Sequence, residues 1–110
     1  MAEPALTDVF GSSATQTNTT LTILKADLPF TASANNTAES LLAAIAKKAA
    51  TILNNTNFAT NPDQSIAIVP GFDQIVYRNI SGTQTPYLQN ALTFNFAKTQ
   101  SSAGVTPDSY

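Results

Sequence analysis

The sequence predicts an α+β fold in which one amphipathic helix packs on a mainly antiparallel sheet of about four strands, in the order β-α-β-β-β, with polar N- and C-terminal arms. Three observations carry this expectation. Apolar residues recur at three- and four-residue steps across residues 37–53. Apolar and polar residues alternate, or β-branched residues cluster, in residues 19–28, 64–69, 72–80 and 87–96. A chain of 110 residues has room for one core and buries about two-thirds of its unfolded surface.

Taken in order, residues 1–18 read as an arm. After Phe10 the run Gly11, Ser12, Ser13, Ala14, Thr15, Gln16, Thr17 has little to bury. In residues 19–28, Thr20 and Thr22 alternate with Leu21 and Ile23, which predicts the first strand; Pro29 ends it, and residues 31–36 form a polar connection. The helix follows, with Ala38, Leu41, Leu42, Ile45, Ala49, Ile52 and Leu53 on one stripe and Lys47 and Lys48 away from it. Asn36 is the expected N-cap, with Glu39 three residues on reaching back and complementing the helix dipole. Asn54 and Asn55 end it.

Asn61, Pro62 and Asp63 make a turn. Residues 64–69 then read as a short strand with Ile66 and Ile68 on one face, closed by Pro70 and Gly71. In residues 72–80, Ile75 and Tyr77 oppose Val76, Arg78 and Ile80, so both faces carry apolar surface. Ser81 and Gly82 open a loop that has Pro86 near its end. Residues 87–96 give the strongest strand pattern, with Leu88, Leu92, Phe94 and Phe96 on one face, broken by Asn90 alone, and Phe94 and Phe96 expected in the core. The domain is therefore residues 19–98, and residues 99–110, from Thr99 through Val105 to Tyr110, form a tail.

Which side chains are missing bounds the chemistry. There is no His, Cys or Trp, so disulfides, thiolate metal sites and the commonest acid–base and nucleophilic groups are excluded. Five basic and seven acidic residues give a net charge of −2, against nucleic-acid binding, which needs clustered Lys and Arg. Thr, Asn, Ser and Gln supply 41 of the residues, a surface that hydrogen-bonds readily and repels weakly. No run approaches the roughly 18 apolar residues of a membrane span, and residues 1–10, with Glu3 and Asp8 and no base, do not read as a secretory signal.

Individual motifs are weak. Asp63 and Asp73 could form a carboxylate pair only if folding placed them in one cleft, and both follow turn-type sequence where Asp serves the backbone. Gly11, Gly71, Gly82 and Gly104 never cluster into a phosphate-binding loop. The acidic residues lack the spacing of a calcium loop. Asn18, Asn35, Asn54 and Asn79 match the glycosylation acceptor pattern, as composition alone produces in so Thr- and Asn-rich a chain. No catalytic, cofactor-binding or metal-ligating residue is therefore expected. Tyr77 and Tyr87, on neighbouring strand candidates, could stack on a sugar or a partner, and Phe10 in its polar arm should dock on its own domain or on a neighbour.

The Thr-, Asn- and Ala-rich, weakly charged texture of residues 15–22, 54–61 and 93–104 resembles that of small phage virion proteins that decorate a shell or line a tail. The likeness is one of composition, without a diagnostic motif. It implies a non-enzymatic subunit of a larger assembly whose partners are other protein subunits, as a homo-oligomer or on a host particle; the composition leads to the expectation of no cofactor, nucleic acid or membrane partner. Poorly charged sheet edges favour that reading. The alternative is a free-standing module that binds carbohydrate or a surface partner through a sheet face bearing Tyr77 and Tyr87.

Overall fold

The computed structural model describes residues 2–98 and 107–110, which build a mixed α+β architecture. In chain order the elements are α1 (Leu6–Phe10), β1 (Thr15–Gln16), β2 (Leu21–Thr22), α2 (Ala38–Ala50), α3 (Asn55–Thr60), β3 (Ile66–Pro70), β4 (Gln74–Ile80), β5 (Thr83–Gln89) and β6 (Leu92–Phe96). Single 3₁₀ turns lie at Lys25–Asp27 and Pro107–Ser109.

The predicted helix forms as α2, but its cap is Thr37 and not Asn36. The Thr37 hydroxyl accepts from the Ser40 amide at 3.1 Å. Asn36 is committed elsewhere: its Oδ1 accepts from Ser33 N and its Nδ2 donates to the Thr31 carbonyl, closing the preceding loop. At the other end, the Leu53 amide reaches the Ala49 carbonyl at 2.8 Å. Asn54 then starts α3 by accepting from Asn57 N at 2.7 Å, so residues 55–60, unassigned in the sequence, are a further helical turn and a half. Asn57 Nδ2 returns to the Ile52 carbonyl. Amide and hydroxyl side chains here satisfy helix ends, which explains part of their abundance.

The N-terminal segment is not wholly an arm. Leu6, Val9 and Phe10 stand at i, i+3 and i+4, and this short helix packs against α2. Asp27 ties the segment down by accepting from Ser13 N at 3.0 Å. The first predicted strand shrinks to Leu21–Thr22, paired only with Thr15–Gln16. Leu21 and Leu24 remain exposed, so no face is buried to extend it, and the chain turns into the 3₁₀ segment. Of the predicted tail, residues 99–106, including Val105, lie outside the described residues. Tyr110 packs edge-on against Phe96, with ring centroids 5.4 Å apart.

The four C-terminal strands pair two by two, β3 with β6 and β4 with β5, all antiparallel. The expected loop after Gly82 is instead β5. Ser81 and Gly82 both have positive φ, 51° and 83°, the signature of a two-residue type I′ hairpin. The single strand expected over residues 87–96 is divided at Asn90 and Ala91.

The two pairs are separate two-stranded sheets, joined end to end as a ribbon through an irregular bulge. Pro70 pairs with Leu92 and Gln74 with Gln89, so Gly71, Phe72 and Asp73 oppose only Asn90 and Ala91. Pairing continues into the gap through a 2.9 Å bond from Gly71 N to the Ala91 carbonyl. One extra residue shifts the phase of one strand relative to the other. Ile66 and Ile68 of β3 therefore share a face with Ile75 and Tyr77 of β4, as Phe96, Phe94 and Leu92 share it with Leu88 and Pro86. Helix α2 packs over the β3 end of that face.

Candidate interaction surface

Small residues dominate what is buried. The buried apolar residues are Ala14, Leu28, Ala44, Ala49, Ala67 and Ile68, and no side chain among the described residues is completely enclosed. The chain exposes 8009 Å², roughly 2,200 Å² more than the area-mass relation gives for a compact monomer of this size. Its radius of gyration, 17.0 Å, exceeds the ~13 Å of an ordinary domain of about 100 residues. Phe94 and Phe96, expected in the core, are 43% and 39% exposed, because α2 and its Ala-rich flanks do not reach far enough across the sheet.

Two regions carry much of the exposed apolar surface, apart from Leu21, Leu24 and Phe72. The first is an open groove of about 810 Å³ between the helices and the sheet, lined by Leu6, Phe10, Leu42, Ile45, Ile68 and Phe94 among others. Phe10 thus docks on its own chain and forms part of the groove wall. The second is the β4–β5 hairpin, where Ile75 faces Leu88 and Tyr77 faces Pro86 on one side of the ribbon. Ile75, Leu88 and Tyr77 are 57%, 62% and 67% exposed, and no helix covers them. Contiguous apolar patches of this kind mark interaction sites.

Tyr77 and Tyr87 do not share a face. Val76 is the partner of Tyr87 and Pro86 that of Tyr77, so directly opposed residues place the two rings on opposite sides of the hairpin. Tyr87 lies instead under the Arg78 guanidinium, 4.9 Å from the ring centre, a cation–π contact. The joint stacking surface expected from these two residues is therefore absent. Asp63 lies in a turn in which its amide donates to Asn61 Oδ1. Asp73 sits exposed in the bulge. Among the described residues no group of three or more potential metal ligands comes together.

Gln64 escaped the sequence reading. It is buried, and its Nε2 donates to the carbonyls of Asn54 and Ile66 at 3.1 and 2.8 Å. Its Oε1 has no partner among the described residues. These bonds tie the start of β3 to Asn54, the N-cap of α3, and the Ile68 amide adds a 2.6 Å bond to the Leu53 carbonyl. Along this edge β3 is thus tied to the segment between α2 and α3.

Among the described residues the opposite edge is open. Bonds from Ala97 N to the Ser65 carbonyl and from Gly71 N to the Ala91 carbonyl set the antiparallel parity, so the N–H and C=O groups of Leu92, Phe94 and Phe96 point away from β3. None of these outward groups meets a partner among the described residues. The hairpin's parity follows from its two-residue turn and turns Gln84, Pro86 and Leu88 outward along the same edge. No family model, curated protein or solved structure matches the chain.

Proposed function

We propose that this chain is a non-enzymatic structural or accessory subunit of a larger protein assembly, of the kind that small phage virion proteins provide as capsid decoration or tail components. The observation that carries the reading is the apolar surface left bare on the isolated chain, from the groove over Ile68 and Phe94 to the hairpin face of Ile75, Tyr77 and Leu88. The total surface of the chain, polar and apolar together, exceeds that of a compact monomer by roughly 2,200 Å², enough to accommodate a subunit interface. The weakly charged, Thr- and Asn-rich composition supports it as well, since it leaves contact surfaces with little charge to desolvate. A carbohydrate-binding face built on both Tyr77 and Tyr87 has lost its geometric basis, because the rings diverge.

Light scattering of the full-length protein across concentration, with electron microscopy of the same samples, tests the proposal. A mass of two or more chains that persists on dilution, alone or on particles, is the expected result. A monomer at every concentration, with no particle to bind, would overturn it.

A further inference from the structure

The open edge is unusual for a lone sheet. From Thr83 to Ala97 it contains no charged residue, and Pro86 is its one device against strand pairing. Its outward residues also read nearly the same in both directions about Asn90: Pro86, Leu88, Asn90, Leu92, Phe94. A two-fold axis at Asn90 would place Leu88 of one copy opposite Leu92 of the other, and Pro86 opposite Phe94. Asn90, the one polar residue interrupting the apolar face, would meet its own counterpart, and two side-chain amides can satisfy each other.

We infer that the β5–β6 edge is a self-pairing edge, on which two copies of this chain join antiparallel about an axis at Asn90 to make a continuous four-stranded sheet. The inference rests on the reading of the chain as an assembly subunit and names its partner. Only the antiparallel sense lets outward residues oppose one another directly, and those same residues carry the apolar face. Pairing therefore puts both apolar faces on one side of the joint sheet. Each bare hairpin then lies beside the other copy's groove floor, on the same side of the joint sheet. Pro86 supplies a carbonyl but no N–H, leaving the ladder one bond short at that position on each copy. The β4 edge is a poorer site, since its outward residues are only Ile75, Tyr77 and Asn79. A standard interface covers about 800 Å² on each partner, within the surplus that this chain exposes.

The absence of cysteine makes the test clean. In a hydrogen-bonded antiparallel pair the Cα atoms are about 5.5 Å apart, inside disulfide range. Full-length protein carrying Asn90→Cys should form a covalent dimer under mild oxidation in dilute solution, while Asn79→Cys on the β4 edge should stay uncrosslinked. A Phe94→Lys variant should halve the scattering mass with its far-ultraviolet circular dichroism unchanged. An oligomeric wild type whose Asn90→Cys variant does not crosslink would overturn this edge and leave the subunit reading standing. A monomeric wild type without crosslinking would overturn the edge, and one that also binds no particle would overturn both. Equal crosslinking at residues 79 and 90 would also overturn the assigned edge.

Discussion

The two ends of the ribbon can be compared directly, because each is an antiparallel pair of strands with an apolar face. At the β3–β6 end that face meets α2, and Ile68 is 3% exposed; at the β4–β5 end Ile75, in an equivalent position, is 57% exposed. The difference is one of length. Thirteen helical residues span about 20 Å at 1.5 Å per residue, whereas residues 66–80 in extended form span about 50 Å. A helix of that length covers less than half the ribbon. Alternation in a strand thus specifies which face is apolar, while the neighbouring element decides whether the face is buried.

The sharpest test of the comparison is a matched truncation. Ile68→Ala should lower the unfolding free energy by about 3 kcal/mol, the usual cost of removing a buried Ile side chain. Ile75→Ala should change it by no more than about 0.5 kcal/mol in the monomer, as exposed substitutions do. Urea denaturation at low protein concentration measures both. Equal losses would show that the hairpin face is buried in solution by something other than α2.

The bulge that keeps the two ends in phase can be attacked next. A Cβ built on Gly71 would come within 2.9 Å of the Ala91 Cβ and 3.1 Å of Thr93 Oγ1, so the backbone at the bulge would have to shift. Gly71→Ala should therefore cost about 2 kcal/mol by overpacking, read in the same denaturation experiment. It should also broaden nuclear magnetic resonance signals on both sides of the bulge.

Helix capping separates what was legible in the sequence from what was not. Thr37→Ala should cost about 1 kcal/mol by freeing the Ser40 amide, and Asn36→Ala should leave the cap bond intact; thermal melts of the two variants distinguish them. Asn36 and Thr37 are both good caps, and the choice between them depends on the loop that claims Asn36, a contact that helical periodicity does not encode. The helix, the α+β class and the apolar face through Leu88, Leu92, Phe94 and Phe96 were legible because they are local patterns. The five-residue α1 carried its own signal at Leu6, Val9 and Phe10, too short to stand out from an otherwise polar segment. Pairing was the nonlocal part. Reading Ser81 and Gly82 as a complete two-residue turn pairs Ile80 with Thr83, which makes odd residues of β4 oppose even residues of β5 and parts Tyr77 from Tyr87. The open β5–β6 edge needed the bulge as well, since only the observed hydrogen bonds show which amides turn outward.

That turn also offers the mildest way to probe the bare end. Ser81 holds a φ of 51°, a conformation that Asn tolerates better than Ser at the first central position of a type I′ turn. Ser81→Asn should therefore tighten the hairpin by a few tenths of a kcal/mol. An isolated two-stranded hairpin is marginal in water, so in dilute protein this end should open without the rest of the fold. The gain should appear as slower amide exchange at β4 and β5, with the global unfolding midpoint almost unmoved. If the midpoint rises in step with the local protection, the hairpin is unfolding together with the helix-covered end, and the two halves of the ribbon are one cooperative unit.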